Sequence, residues 1–358
     1  MAQGFAGWGN DLYTGRRSYA IVARRRMWFS IAALLVLTSG ILLVVPGLRP
    51  GIEFRGGSEF TLSGVQHPDQ QLAVTTVRAV APTESPRVSN VGSDGLRIQT
   101  NRLANTQVEA LVTNLSSAFG ISTDKVSTTY IGPSWGQDVS RKAIEGILVF
   151  LLFVTLVMTI YFRNWRMAVA ALVALFHDLA FTVGLYAGVG WEVTPATVIG
   201  FLTILGYSIY DTVVVFDKVR ENTADTLEQG RFTYAEKANL AVNQTLVRSI
   251  NTSVVALLPV AGILFVGALI LKAGTLRDIS LALFVGMAIG TFSSVFLATP
   301  LEVTLRQREP AIKAHTARVL AARAAAGQSP ETPVVVSAAP LKAGSHLGHA
   351  AQPRRRGR

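Results

Sequence analysis

Six long apolar runs dominate the hydrophobic pattern of the chain. They cover Trp28–Val45, Ala143–Phe162, Met167–Gly190, Thr194–Phe216, Ile250–Leu271 and Ile279–Leu301. A helix needs about 20 predominantly apolar residues to cross the hydrocarbon core of a bilayer. The pattern therefore predicts a polytopic α-helical membrane protein with six transmembrane helices, called spans one to six in chain order.

A different pattern separates spans one and two. Alternation of apolar and polar residues, or a short apolar run bounded by turn residues, predicts a strand. Apolar residues that recur at a spacing of three and four predict a helix. The predicted elements are Ser58–Ser63, Asp69–Ala81, Arg87–Val91, Leu96–Thr100, Thr106–Phe119 and Lys125–Ile131. Their order, β-α-β-β-α-β, is typical of a small ferredoxin-like α+β domain.

Basic residues predict the orientation, because they favour the cytoplasmic side of a membrane protein. The net charge is +11, and arginines cluster before span one and after span six. Both termini are therefore expected in the cytoplasm, with span one as an uncleaved signal anchor and the α+β domain outside. A nucleic-acid partner is not needed to explain the charge, and we predict no specific one.

These features predict five segments. They are a cytoplasmic basic arm at 1–26, transmembrane helix one at 27–46, an extracytoplasmic α+β domain at 47–141, spans two to six at 142–301 with a cytoplasmic connection at 217–248, and a basic, largely disordered cytoplasmic tail at 302–358. The tail is expected to be helical from Pro310 to about Ala326 and then to be a disordered, solvated positive segment, with contact to anionic lipid or ribosomal RNA as the alternative.

The amino-acid composition excludes several kinds of functional site. The chain has no cysteine and five histidines. Disulfides, thiolate metal sites and cysteine nucleophiles are therefore excluded, and no histidine pair has the spacing of a zinc site. We expect no metal, no cofactor and no enzymatic activity.

Three ionisable residues interrupt the apolar runs: Asp178 in span three, Asp211 in span four and Arg248 at the start of span five. Such residues cost at least about 2.5–3.5 kcal/mol each at mid-helix and mark functional sites. At about 1.5 Å per residue, Asp211 and Arg248 both lie roughly 8 Å from the inner membrane boundary. We therefore predict that they meet and couple proton movement to a change of shape, with a static buried ion pair as the alternative.

Polar residues accompany these charges along two helix faces. The predicted supporting path contains Thr203, Tyr207 and Ser208 on span four and Asn251 and Thr252 on span five. Asp178 is either a second proton relay or a hydrogen-bonded packing residue. In span six, Gly286, Gly290 and Ser294 recur every four residues, a spacing that lets helices approach closely.

Six motifs in order resemble one known family. The segment GYSIYDTVVVFDKVREN at 206–222 is similar to the signature GYSINDTVVVFDRIREN of SecF-type members of the SecD/SecF family. GIEFRGG at 51–57 resembles GIDFTGG, and IGPSWG at 131–136 resembles VGPxxG. HD at 177–178, TLVRSINTS at 245–253 and GTFSSVF at 290–296 also match, so the resemblance covers roughly residues 27–306.

The resemblance implies a subunit of the Sec protein-export machinery in the bacterial plasma (inner) membrane. The implied partners are SecD, the SecYEG channel, YajC/YidC-type membrane proteins, unfolded exported polypeptides and membrane lipid. It further implies six spans from each of SecD and SecF in a resistance-nodulation-division-type bundle, with protons as the coupling ion. The proton-active aspartate of the family falls on Asp211, and its essential arginine falls on Arg248.

Some positions depart from the pattern, namely Glu53, Arg55, Tyr210 and Lys218. Tyr210 is expected to alter the hydration of Asp211. The main alternative function is half of a proton-driven small-molecule or lipid exporter of the same superfamily. A passive scaffold and an intramembrane aspartyl protease using Asp178 and Asp211 are further alternatives, although the protease motif is absent around Asp178.

Overall fold

The computed structural model describes residues 4–92, 94–270 and 274–327. Its helices, α1 to α12, are Phe5–Thr14, Arg25–Val44, Ile52–Arg55, Gln70–Val80, Asn105–Phe119, Pro133–Phe162, Trp165–Val189, Pro195–Thr223, Tyr234–Gly262, Gly274–Ser293, Thr299–Arg306 and Pro310–Ala325. Its strands, β1 to β6, are Arg49–Pro50, Gly57–Leu62, Arg87–Val91, Gly95–Thr100, Val126–Ile131 and Glu192–Val193. The two elements Ile263–Ile270 and Ser294–Ala298 are π-helical continuations of α9 and α10.

Six helices in the described part of the chain are long and apolar enough to cross a membrane. They are α2, α6, α7, α8, α9 and α10, and α10 continues through its π-helical turn into α11. The apolar windows of α7, α8 and α10 are 50%, 44% and 50% buried, whereas those of α2, α6 and α9 are 11% buried. Helices α7, α8 and α10 therefore form the centre of the bundle. The prediction of six spans is confirmed.

Local sequence signals explain where the membrane helices begin and end. Asn164 caps α7 by accepting a hydrogen bond from the Arg166 amide at 3.0 Å, and Gly190 ends that helix in the left-handed conformation. Thr194 caps α8 with Pro195 in its first turn. These residue types satisfy or replace the backbone groups that a helix end leaves unpaired.

The α+β domain is a four-stranded antiparallel sheet in the order β3-β4-β2-β5, with α4 and α5 packed on it. The core consists of inward residues of β2 and β4 against both helices: Phe60, Leu62, Leu96, Ile98, Ala73, Val77, Leu111 and Leu115. The predicted ferredoxin-like order is therefore observed in the structure. Its position on the extracytoplasmic side stays a prediction.

Two close contacts attach this domain to the membrane helices. Strand β1 pairs in parallel with β6, which lies between α7 and α8. Helix α3 packs on the start of α6, where a Cβ on Gly136 would lie 2.6 Å from the Phe54 carbonyl oxygen. A Cβ on Gly57, which has φ of 147°, would lie 2.4 Å from the Thr100 carbonyl oxygen. Glycine is needed at both positions because backbone passes against backbone.

The other end of the bundle holds the N-terminal arm and the first part of the tail. The Tyr19 amide donates to Asn243 Oδ1 of α9 at 2.7 Å. Helix α12 is tied to α9 by Arg323, which donates two hydrogen bonds of 2.7 Å to Glu236.

One predicted boundary changes at this end. Helix α8 continues to Thr223 and α9 begins at Tyr234, so the predicted connection at 217–248 is mostly helical. The helix predicted at the start of the tail is observed as α12, Pro310–Ala325. The predicted disorder after it falls mostly on residues 328–358, which lie outside the described residues.

Candidate functional site

Asp178 lies on α7 in the centre of the bundle and is buried. Its Oδ2 accepts hydrogen bonds from Ser208 Oγ at 2.6 Å and from Ser293 Oγ at 2.7 Å. Its Oδ1 lies 3.1 Å from Nδ1 of the neighbouring His177. Residues from α7, α8 and α10 thus meet at one carboxylate, which explains how this polar group is tolerated between apolar helices.

Asp211 lies on α8 and is also buried. Ser249 Oγ of α9 donates a hydrogen bond to Asp211 Oδ1 at 2.8 Å. Asp211 Oδ2 is buried and accepts no hydrogen bond from the described residues. One oxygen of this carboxylate therefore has a hydrogen-bond donor, and the other is buried without one among the described residues.

Further hydroxyl groups lie near the two aspartates. Ser208, which binds Asp178, lies three residues before Asp211 on the same helix. Ser294 Oγ, in the π-helical continuation of α10, lies 3.0 Å from Thr212 Oγ1 and 3.5 Å from the Ser208 carbonyl oxygen. We call this set the intramembrane polar cluster: Asp178, Ser208, Asp211, Thr212, Ser249, Ser293 and Ser294.

A second polar group lies one helical turn from Asp211. Tyr207 Oη donates to Ser253 Oγ at 3.2 Å, and Ser253 Oγ lies 2.5 Å from Thr291 Oγ1. This group joins α8, α9 and α10 on the side of Asp211 towards the start of α8. The structure therefore brings Tyr207 and Ser208 of the predicted path into contacts between helices.

Arg248 does not pair with Asp211, contrary to the prediction from the sequence. Its side chain is exposed, and in the described part of the chain no ion pair joins it to Asp211. Successive helix residues point about 100° apart, so placing Ser249 against Asp211 turns Arg248 towards the surface of α9.

Three other predicted path residues lie outside both polar groups. Thr203 is exposed, and its hydroxyl donates to the Ile199 carbonyl oxygen of its own helix at 2.8 Å. Asn251 is exposed and Thr252 is partly exposed on α9. The inward polar face of α9 is instead Ser249 and Ser253, whose spacing of four in RSINTS was an available signal. Tyr210 is 53% exposed and points away from the cluster.

Close packing of α8 against α10 positions the cluster. A Cβ on Gly290 would lie 3.1 Å from Ser208 Cβ and 3.6 Å from Asp178 Oδ2. A Cβ on Gly286 would lie 2.1 Å from Ile204 Cδ1. The small residues at this spacing thus serve the close approach that the sequence predicts. The described residues contain no group of three or more acidic or histidine side chains that could hold a metal ion.

Comparison with known proteins identifies the family. A family model described as "Protein export membrane protein SecD/SecF, C-terminal" matches residues 111–308. The chain belongs to the SecD/SecF family. A second model, the SecD/SecF GG Motif, matches residues 41–64, which include the Gly56-Gly57 pair between α3 and β2.

Relatives in the SecD/SecF family cover most of this chain. The protein translocase subunit SecF of Streptomyces coelicolor is 48% identical over 328 residues, which are 90% of this chain and 87% of that protein. SecF of Mycobacterium leprae is 40% identical and matches 88% of this chain and 70% of its own length.

A crystal structure of SecDF from Thermus thermophilus, described as a translocon-associated membrane protein, superposes with a TM-score of 0.71 at 29% identity. The match covers 82% of this chain and 39% of the SecDF chain. This chain therefore spans about two fifths of that SecD/SecF-family protein.

Proposed function

We propose that this chain is a subunit of the bacterial Sec protein-export machinery. It acts with a SecD-type partner and the SecYEG channel to promote translocation of unfolded polypeptides across the inner membrane, using the proton gradient. Support comes from relatives named protein translocase subunit SecF. The observation that carries the proton-coupled part is the intramembrane polar cluster, which holds two buried carboxylates inside the membrane bundle.

The chemistry of the cluster suits proton binding and release. An ionised Asp211 accepts the Ser249 hydroxyl at Oδ1, and a proton would add at Oδ2, which accepts no hydrogen bond from the described residues. Protonation removes the attraction between Asp211 and Arg248, because arginine stays charged. That change alters the force between α8 and α9, which carry these two residues, and so links proton occupancy to helix position.

The surface of the bundle supports a membrane partner. Arg248, Asn251 and Thr203 are exposed on α8 and α9 within candidate membrane spans. Polar groups at that depth normally face protein or a hydrated cavity. The Thermus thermophilus relative is a single chain named SecDF, which supports a SecD-type half as the occupant of this surface. SecYEG and YajC/YidC-type proteins would be further partners of the same assembly.

Orientation is part of the proposal. The basic N-terminal arm contacts the start of α9, whereas the α+β domain contacts the start of α6 and the end of α7. The arm and the domain therefore lie at opposite ends of the membrane helices. The positive-inside rule then favours cytoplasmic termini and an extracytoplasmic domain.

The test is a protein-export assay in cells that depend on this subunit. Asp211→Asn and Arg248→Met, each at normal protein level, are expected to reduce gradient-dependent export at least tenfold. Glu221→Gln is the matched control, because Glu221 is an exposed carboxylate on the same helix. Normal export in both variants would refute proton coupling at this site. Copurification of a SecD-type chain separates this function from that of an independent small-molecule or lipid exporter.

A further inference from the structure

A cleft of about 620 Å³ lies where the α+β domain meets the membrane helices. One wall is formed by β3 and β4 of the domain, and the other by the end of α7, the following turn and the first turns of α10. None of the residues of the intramembrane polar cluster lines it. The cleft is therefore a feature separate from the proposed proton site.

Arginine dominates the charged lining of this cleft. Four arginines, Arg49, Arg87, Arg97 and Arg277, face two carboxylates, Glu192 and Asp278. Because four positive charges face only two negative ones, the described lining has an excess of positive charge.

The two carboxylates already have partners. Glu192 accepts a hydrogen bond from Gln99 at 2.8 Å and lies 4.0 Å from Arg97. Asp278 Oδ2 accepts from Thr194 Oγ1 at 3.1 Å. In the described part of the chain, no ion pair or hydrogen bond holds the guanidinium of Arg49 or Arg87.

The surroundings of Arg87 disfavour its positive charge. Burial and the like charges of Arg55 and Arg49 lower the pKa of Arg87, while Glu192 opposes them. Arg49 also comes close to Gly190, where a Cβ would lie 2.8 Å from Arg49 Cζ. Both guanidinium groups therefore belong to the lining of one cleft, Arg87 from the domain and Arg49 from the segment after α2.

The position of the cleft indicates what kind of anion fits. Tyr186 lies one turn before the end of α7, and Leu281 lies two turns into α10, so the lower wall is at the depth where a membrane helix enters the bilayer. Trp191 completes this wall. Aromatic residues are typical of the level of lipid headgroups, and basic pockets between membrane helices bind lipid phosphates.

We propose that this cleft binds the phosphate of an anionic phospholipid in the leaflet on the side of the α+β domain, with Arg49 and Arg87 as its ligands. An arginine offers paired donors that match phosphate geometry. Because Arg87 belongs to β3 and Arg49 to the segment after α2, one headgroup would bridge the domain and the membrane bundle. This inference does not depend on proton coupling at Asp211.

The experiment uses the purified full-length chain in detergent, with native mass spectrometry to measure bound lipid. Dioleoyl phosphatidylglycerol is the anionic probe, and dioleoyl phosphatidylcholine is the zwitterionic reference. The test variant is Arg49→Gln/Arg87→Gln. The control is Arg78→Gln/Arg102→Gln, which removes the same charge from two exposed arginines of the same domain outside this cleft.

The wild-type chain is expected to retain one phosphatidylglycerol in preference to phosphatidylcholine. The test variant should bind phosphatidylglycerol about 30-fold more weakly, because each arginine near a membrane surface is worth about 1 kcal/mol and 1.4 kcal/mol is tenfold. The control pair should bind like wild type. Equal affinity in the test variant and the wild type would overturn the proposal.

Two further probes distinguish a lipid phosphate from other anions that could bind in the cleft. Inorganic phosphate and an acidic peptide are each added in place of lipid, with the thermal unfolding temperature as the readout. If either one stabilises the wild type but not Arg49→Gln/Arg87→Gln, and phosphatidylglycerol has no such effect, the ligand is not a lipid and the proposal is wrong. Stabilisation by phosphatidylglycerol alone supports it.

Discussion

Among single residues, Glu53 is a buried carboxyl group whose ionisation makes the stability of the protein depend on pH. It lies in α3, where the domain meets the membrane helices, and its Oε2 is buried without a hydrogen-bond partner among the described residues. Burial is the largest cause that raises the pKa of Glu53, and the nearby charges of Glu192 and Glu59 add to it. The folded protein therefore favours the protonated form more than the unfolded chain does.

Glu53→Gln is expected to stabilise the protein at neutral and higher pH. A raised pKa in the folded state means that wild-type stability falls as pH rises from the unfolded pKa through the folded pKa, and glutamine cannot ionise. The gain in unfolding temperature should be full at pH 8 and should disappear near pH 4. Thermal unfolding across this range measures it, with exposed Glu109→Gln as the control. A constant gain at all pH values would refute ionisation as the cause.

Ser249 makes a contact with Asp211 that the sequence did not predict. The motif TLVRSINTS identified Arg248 as the important residue, because a charge inside a membrane span is conspicuous in a sequence. The direction in which each side chain points depends on how α9 packs on α8, which a single sequence does not specify. Asp211, Tyr207 and Ser208 all make contacts between helices because they share one face of α8 with a spacing of three or four.

Ser249→Ala tests that contact. It removes the hydrogen bond at 2.8 Å to Asp211 Oδ1, and leaving a buried partner unsatisfied costs about 1–3 kcal/mol. We expect a lower unfolding temperature in detergent. Thr203→Ala is the control, because that hydroxyl is exposed and bonds its own helix; it should change stability by less than about 0.5 kcal/mol. Equal effects of the two substitutions would contradict the assigned contact.

At the scale of elements, the apolar runs predicted the spans well because membrane thickness fixes the length of a crossing helix. Helix ends were harder to place, since polar residues continue a helix beyond the bilayer. Helix α6 starts at Pro133 rather than Ala143, and Arg141 and Lys142 both pair with Glu145 on its surface. The α+β topology was predictable because its helical and strand periods are distinct along residues 57–131.

The close packing of α8 against α10 leads to a prediction about stability. Gly286→Ala should destabilise the bundle by about 1–3 kcal/mol, as expected for overpacking, because the new Cβ would lie 2.1 Å from Ile204 Cδ1. Gly206→Ala is the matched control, because no atom lies within 4 Å of its added Cβ, and alanine favours a helix by roughly 0.5–1 kcal/mol. Ile204→Val should restore part of the loss in Gly286→Ala. Thermal unfolding in detergent compares the three variants.

At the scale of the whole molecule, the chain leaves polar residues exposed at the depth of the membrane. Arg248 and Asn251 lie on the outward face of α9, next to the exposed apolar residues Val254, Val255 and Leu258. A single sequence reveals that such polar residues exist but not that they share an outer face, because that depends on the packed bundle. This chain matches about two fifths of SecDF, and this face is where we propose that a SecD-type half binds.

Cysteine labelling tests whether a partner covers this face. The chain has no cysteine, so Asn251→Cys introduces a single reactive thiol. Labelling by the membrane-permeant N-ethylmaleimide should slow several-fold when a SecD-type chain is coexpressed, because the partner would bury position 251. Ser127→Cys on β5, which is exposed in the α+β domain, controls for expression and reagent access and should label equally in both conditions. Unchanged labelling at position 251, in cells where the two chains copurify, would place the partner against another face, and the exposure of Arg248 would then need water rather than protein to explain it.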